Sequence, residues 1–73
     1  MKFEIGQKVD IPEYELFDCI VTEIRKDNCA VKIKWPEGTL NTNKYAKHSI
    51  GVWWSTEDGA VVKHVDVSKF HDI

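Results

Sequence analysis

The feature that most constrains this chain is a pair of alternating runs on either side of Asp27-Asn28. In Val31-Lys32-Ile33-Lys34-Trp35 the apolar side chains alternate with lysines, the period-2 signature of a strand with one face in a core and the other in water. The preceding run mirrors it, with Ile20, Thr22 and Ile24 alternating with Val21, Glu23 and Arg25. Asp27 and Asn28 both tolerate a left-handed backbone and suit a two-residue hairpin turn. Closing the hairpin there predicts the pairs Lys26 with Cys29, Ile24 with Val31, Thr22 with Ile33 and Ile20 with Trp35. It also sets Glu23 opposite Lys32 on the solvent side. The register is self-consistent, because the apolar set falls on one face and an opposite-charge pair on the other.

Length limits what can surround this hairpin. Seventy-three residues make a single domain, residues 1–73, and a chain this short buries only ~60% of the surface it exposes when unfolded. Its core must be compact and rich in aromatic and β-branched side chains, with no room for a separate catalytic lobe. The 42% hydrophobic and 30% charged fractions are those of a globular protein. Twelve acids against ten bases leave a formal charge of −2, so bulk electrostatics favour neither nucleic acid nor an anionic membrane, while leaving room for a local basic face. No run approaches the ~18 apolar residues of a membrane span. Met1-Lys2-Phe3-Glu4 is not followed by the apolar run of a secretory signal, and the chain reads as a complete frame from Met1. The expected location is cytoplasmic.

Two cysteines, Cys19 and Cys29, are too few for a disulfide framework. The predicted register holds them beyond bridging reach, so both are expected as reduced structural thiols.

Along the chain, Phe3 to Pro12 reads as a first strand in which Val9 and Ile11 alternate with Lys8 and Asp10, ended by Pro12. Residues 13–18 form a polar-aromatic connection in which Phe17 is expected to pack and Tyr14 to be exposed. Trp35-Pro36-Glu37-Gly38 closes the central strand with a turn, Pro36 setting one dihedral and Gly38 supplying a positive one. The long connection from Thr39 to His48 is either a functional loop or a segment wrapping an open edge. Ile50, Val52 and Trp54 resume the strand pattern on one face, with Gly51, Trp53 and Ser55 on the other. Glu57-Asp58-Gly59 is a hairpin loop, Ala60 to Asp66 runs back, and Val67 to Phe70 forms a 3₁₀ turn that plugs a barrel end with Phe70. The expected core is Ile20, Ile24, Val31, Ile33, Trp35, Val52 and Trp54.

Three stretches, Ile5-Gly6-Gln7-Lys8-Val9, the run Cys19-Ile20-Val21-Thr22-Glu23-Ile24 leading into Val31 to Trp35, and Gly38 behind the tryptophan, resemble the SH3-like small barrels, including the Tudor-like and KOW-like families. The resemblance covers most of the chain. It implies an all-β fold: a single small antiparallel SH3-like barrel of about five strands with a C-terminal 3₁₀ turn. Some barrels of this architecture become enzymes by oligomerising around a pore, as in the plasmid-encoded dihydrofolate reductases. Those carry Val-Gln-Ile-Tyr on the pore strand, where this chain has Val52-Trp53-Trp54-Ser55.

Catalytic signatures are absent: there is no Gly-rich phosphate loop, Cys-x-x-Cys, His-Glu-x-x-His or Gly-x-Ser-x-Gly. His48, His64 and His71 lack the paired spacing of structural zinc ligands. No cofactor, metal or enzymatic activity is expected. The lead that remains is aromatic. One of two adjacent strand tryptophans must point away from the core, and with Trp54 inward that residue is Trp53. An outward tryptophan needs cover from the chain or from a partner, and tryptophan is enriched at binding hot spots. Tyr14 and Tyr45 are the candidates to accompany it. A protein-binding module, acting as a stand-alone regulator or inhibitor, is the first expectation. The alternative is a nucleic-acid-binding barrel that uses Lys32 and Lys34, with Arg25, Lys26, Lys44 and Lys47 nearby. A third reading is a Tudor-like cage for a methylated cation, in which Tyr14, Tyr45 and Trp53 converge near Glu13 or Asp58.

Overall fold

A computed structural model describes residues 2–25 and 27–65, apart from the side chains of His64 and Val65. The strands are β1 (Lys8–Ile11), β2 (Leu16–Ile24), β3 (Ala30–Lys34), β4 (Trp53–Glu57) and β5 (Ala60–Val65). They form one antiparallel sheet in the order β1-β2-β3-β4-β5, and β1 approaches β5 so that the sheet curls into a nearly closed barrel. The architecture is all-β, as the alternation requires. The turn expected at Val67 to Phe70 lies outside the described residues.

β2 gives the barrel its curvature. Its pairing with β1 runs Val9 to Cys19 and then Ile11 to Leu16, one residue more on β2 than on β1. Its pairing with β3 runs Val21 to Ile33 and then Glu23 to Lys32, so Thr22 is again an extra residue on β2. Bulges of this kind bend a strand and sharpen its twist. At the first, Asp18 adopts φ 57° and its N–H donates to Asp10 Oδ1 at 2.9 Å. At the second, the Thr22 hydroxyl donates to the Lys32 carbonyl at 3.4 Å.

The Thr22 bulge corrects the predicted register. Ile24 with Val31 and Glu23 with Lys32 pair as expected, but the phase then reverses: Ile20 pairs with Lys34 and Val21 with Ile33. Val21 is therefore buried, whereas Ile20, expected in the core, is 39% exposed. A similar reversal occurs at the start of β2. Glu15 takes a left-handed conformation (φ 56°) after a 3₁₀ turn over Pro12–Tyr14, which delivers Leu16 into the core and turns Phe17 outward. The predicted connection over 13–18 thus contains the start of a strand, and Phe17 is exposed where packing was expected. Tyr14 in turn is half-buried, not exposed.

The core comprises Phe3, Ile11, Leu16, Cys19, Val21, Val31, Trp54 and Val61, with Ile24, Ile33 and Trp35 half-buried against it. Fully burying one such apolar side chain contributes ~1.5–3 kcal/mol. Ile50, also expected inside, is 62% exposed. Gly51 at φ 72° interrupts the alternation between Ile50 and the first residue of β4. Gly59 (φ 80°) and Asp58 (φ 51°) make the tight β4–β5 turn, with Glu57 paired to Ala60.

The β2–β3 turn is wider than two residues. Arg25 N–H donates to the Ala30 carbonyl at 3.0 Å, and Asn28 N–H to the Arg25 carbonyl at 2.8 Å; the predicted pair Lys26 with Cys29 lies partly outside the described residues. Asn28 (φ 61°) is the left-handed residue and also a clamp. Its Oδ1 accepts from Phe3 N–H at 2.9 Å, its Nδ2 donates to the Phe3 carbonyl at 3.5 Å, and its own carbonyl accepts from the Thr56 hydroxyl at 2.8 Å. The hairpin tip thereby ties the N-terminal segment and β4 together. Asn28→Ala removes both amide bonds and places alanine at positive φ, so it is expected to cost about 1–3 kcal/mol, with Asn28→Gly costing less, as read from urea midpoints. Equal losses in the two variants would assign the whole effect to the amide bonds.

The 39–48 segment folds as a single helical turn α1 (Thr39–Thr42) and a 3₁₀ turn over Ala46–His48. Gly38 (φ 96°) precedes it, after the Pro36 turn closed by Thr39 N–H to the Pro36 carbonyl at 3.2 Å. Asn43 fastens the segment to the barrel: its Nδ2 donates to the carbonyls of Tyr14 (2.8 Å) and Glu15 (2.9 Å), and its Oδ1 accepts from Tyr45 N–H (2.7 Å). Ala46 and Ser49 are buried beneath it, the Ser49 hydroxyl donating to the Tyr45 carbonyl at 2.8 Å.

Candidate functional site

Trp53 and Trp54 are neighbours on a strand, so their rings lie on opposite sides of the sheet. Trp54 is fully buried in the core. Trp53 is only 7% exposed despite facing outward, and two cations stand over its ring, Lys32 on the neighbouring strand β3 and Arg25 just past the end of β2. Lys32 Nζ stands 5.1 Å from its ring centroid and Arg25 Cζ 5.9 Å. Lys32 also meets Glu23 at 3.5 Å. The long aliphatic stems supply apolar cover while their charges meet the ring face, so the chain itself provides the cover that the outward tryptophan needs.

Tyr14 and Tyr45 do come together, but around the other tryptophan. Their rings are edge-to-face at 5.1 Å, and Tyr14 meets Trp54 edge-to-face at 5.0 Å. Lys44 Nζ lies 5.1 Å from the Tyr45 ring. With Trp53 on the opposite side of β4, the three aromatics proposed for a cation cage do not converge. The cluster locks the loop onto the barrel through Asn43 and Tyr14.

An exposed apolar surface lies elsewhere, at the end of β3. Trp35 and Pro36 form a ridge with a groove on each side. One groove, of about 460 Å³, is lined by Ile33, Trp35, Leu40 and Ile50, with Gly38 and Gly51 at its margins. The other, about 740 Å³, runs over the outer face of β1, β2 and β3, with Ile20 between Lys8 and Lys34 and with Asp18 and Glu37 at its rim. Leu40 is 45% exposed and, with Ile20 and Ile50, gives the ridge three open aliphatic side chains. Of the residues singled out from the sequence, Lys34 borders both grooves. The signals for this surface were present but indirect: a tryptophan followed by proline at a strand end, and an isoleucine set before a glycine able to turn it out.

Cys19 and Cys29 are both free thiols, the first buried and the second exposed. Burial, reinforced by the nearby Asp10 and Asp18 carboxylates, pushes the Cys19 thiol from its ordinary 9.0 up to about 11. At Cys29 a side-chain hydrogen bond with Asp27 raises the thiol and lowers the Asp27 carboxyl, helped by Cys29 N–H donating to Asp27 Oδ1 at 3.2 Å. Because folded Cys19 keeps its proton where the unfolded chain releases one, its contribution is intact below pH 9.0 and is lost as pH rises toward 11. The expected result is that wild-type stability falls between those values by on the order of 2 kcal/mol more than that of Cys19→Ala. Parallel urea curves for the two proteins across that window would show the thiol to be uncoupled from folding.

Among the described residues, no group of three or more His, Cys, Asp and Glu side chains is placed to hold a metal ion, and no helix is long and apolar enough to cross a membrane. No protein-family model matches this chain, and no curated protein or solved structure matches it significantly.

Proposed function

We propose that this chain is a small, non-enzymatic binding protein of the cytoplasm that acts through a protein–protein interface, as a stand-alone regulator or inhibitor of its partner. The observation that carries the reading is the Trp35-Pro36 ridge, flanked by the exposed Ile20, Leu40 and Ile50. Half-buried tryptophan beside open aliphatic side chains is the composition of an interface centre, and the charged rim of Lys8, Asp18, Lys34 and Glu37 is that of its border. Lys34 keeps the binding role its place on the strand suggests. Trp53 and Lys32 meet one another, and Tyr14 packs against both Tyr45 and Trp54, so in this reading these four pack the barrel and do not line the grooves. The Tudor-like or KOW-like kinship suggested by the sequence belongs to the same reading, since it too describes a small barrel used for binding.

The nucleic-acid alternative rests on Lys32 and Lys34. Lys32 is occupied by Glu23 and the Trp53 ring, which leaves a weaker cationic face than the sequence suggests.

The experiment is capture by the immobilised chain from the lysate of its native host, with and without nuclease and at two salt concentrations, comparing the wild type with an Ile20→Asp, Ile50→Asp double variant. Both substitutions are at exposed positions, so the barrel should fold. The expected result is a captured protein that survives nuclease and salt and is lost by the double variant, whose affinity should fall by at least ~2 kcal/mol. Capture that needs nucleic acid and weakens steeply with salt would select the alternative. Equal capture by both proteins would move the interface away from the ridge.

A further inference from the structure

β3 runs from Ala30 to Lys34, but β4 accompanies it only at Ala30 and Val31, which pair with Ser55 and Trp54. Successive residues of a strand present their N–H and C=O groups to alternate sides. The Cys29 carbonyl accepts from Thr56 N–H at 3.0 Å and the Ala30 carbonyl from Arg25 N–H at 3.0 Å, so residue 29 faces β4 and residue 30 faces β2. By that alternation Ile33 turns both its backbone groups toward the β4 side. Its neighbour on β2, Val21, faces the other way, donating to the Gln7 carbonyl at 2.9 Å and accepting from Gly6 N–H at 2.8 Å. Continuing the register would bring Val52 opposite Ile33. Val52 N–H instead donates to the Ser49 carbonyl at 3.3 Å, next to the left-handed Gly51. The ladder breaks there, and among the described residues no backbone hydrogen bond reaches the N–H or C=O of Ile33. The break opens into the Trp35–Leu40–Ile50 groove, which Ile33, Lys34 and Gly51 also line.

We propose that this open edge of β3 is a strand-addition site for an extended peptide segment of the partner, one that carries an acidic residue between two apolar ones. An interrupted strand edge is completed by another extended backbone, which here takes the place beside Ile33 that β4 leaves empty. Alternation sets the side chains. Ile33 and Trp35 line the groove and meet apolar residues, while Lys34, exposed between them, sits opposite the acidic one as a cross-strand charge pair. The inference rests on the reading of the Trp35-Pro36 ridge as a protein interface and names what its Leu40–Ile50 side takes. On the Ile20 side, β2 is already paired with both β1 and β3 and offers no such edge.

The probe is a blocked synthetic peptide, Thr-Val-Glu-Val-Thr, added to the isotope-labelled full chain while amide hydrogen exchange is read residue by residue. The Ile33 amide is expected to exchange freely in the chain alone and slowly in the complex. In an antiparallel addition the valine after the glutamate donates its N–H to the Ile33 carbonyl, so N-methylating that valine should weaken binding roughly tenfold. Replacing the peptide's glutamate by lysine should weaken it by a similar factor, and Lys34→Glu, a change at an exposed position, should reverse the preference. An Ile33 amide protected in the chain alone would show the edge filled by the chain itself, and protection that grows with protein concentration would assign it to a second copy. Either result overturns the proposal. So does a peptide that shifts Lys8 and Ile20 instead of Ile33, one indifferent to N-methylation and charge, or no binding at all. Each of these leaves the interface reading standing, because that reading fails only on equal capture by the wild type and the Ile20→Asp, Ile50→Asp variant.

Discussion

Trp54→Ala is expected to lose about 4–6 kcal/mol of stability, a large part or all of what a domain of this size possesses. Truncating a fully buried aromatic to alanine costs ~3–5 kcal/mol through lost transfer free energy and the cavity left behind. Trp54 also takes the edge of Tyr14 at 5.0 Å, a geometry worth a further ~0.5–1.5 kcal/mol. At ~0.05–0.15 kcal/mol per residue, 73 residues hold roughly 4–11 kcal/mol in total. Far-UV circular dichroism and urea titration of the purified variant measure the effect. Trp54→Phe keeps most of the volume and the contact with Tyr14 and should cost far less. A loss below ~1 kcal/mol for the alanine variant would mean that the core closes over the gap, against the packing seen around Trp54.

The second large effect concerns Trp53. The ring faces outward, yet it is almost completely buried with Lys32 and Arg25 over its face, so Trp53→Ala should cost about 3 kcal/mol and lower the thermal midpoint by roughly 12–24 °C in a domain this small. This outcome differs from that of a ring held ready for a partner, whose removal would leave the midpoint nearly unchanged while weakening binding. Lys32→Met isolates the charge, because methionine keeps much of the apolar cover and loses the cation; a fall of ~0.5–1 kcal/mol is expected. An unchanged midpoint in Trp53→Ala would return Trp53 to the interface and show that its cationic cover contributes nothing to folding.

The strand pattern was legible in the sequence wherever the alternation ran unbroken. From Ile24 with Val31 and Glu23 with Lys32 the hairpin could be read directly, down to the ion pair between Glu23 and Lys32. It stopped being legible at Thr22. A bulge adds one residue without leaving a mark in composition, and every side chain on its far side changes face. Ile20 and Val21 exchange places for that reason alone. Leu16 and Ile50 share this cause in another form: single left-handed residues, Glu15 and Gly51, reset the phase of their neighbours. The site was less legible than the fold. Adjacent tryptophans announced that one ring must face outward, but the identity of its cover depended on which lysine and arginine the register placed beside it. The convergence of Tyr14 and Tyr45 depended on Asn43, a residue far from Tyr14 in sequence whose amide matches two successive backbone carbonyls. The Trp35-Pro36 ridge arose from the same phase changes that turned Ile20 and Ile50 outward.

The strand order has a consequence for how quickly the molecule assembles. Each strand pairs with its neighbour along the chain, and the most distant partners in the ladder are Ala30 and Ser55. Loop-closure entropy is therefore met in small steps, hairpin by hairpin, and search time stays short for a protein built of β-structure. The approach of β1 to β5 joins the two ends of this meander; it closes the longest loop, so it is expected to come after the hairpins are in place. Interactions formed that late hold the finished barrel shut without speeding its assembly, so weakening this seam should shorten the native lifetime while leaving the folding rate almost untouched.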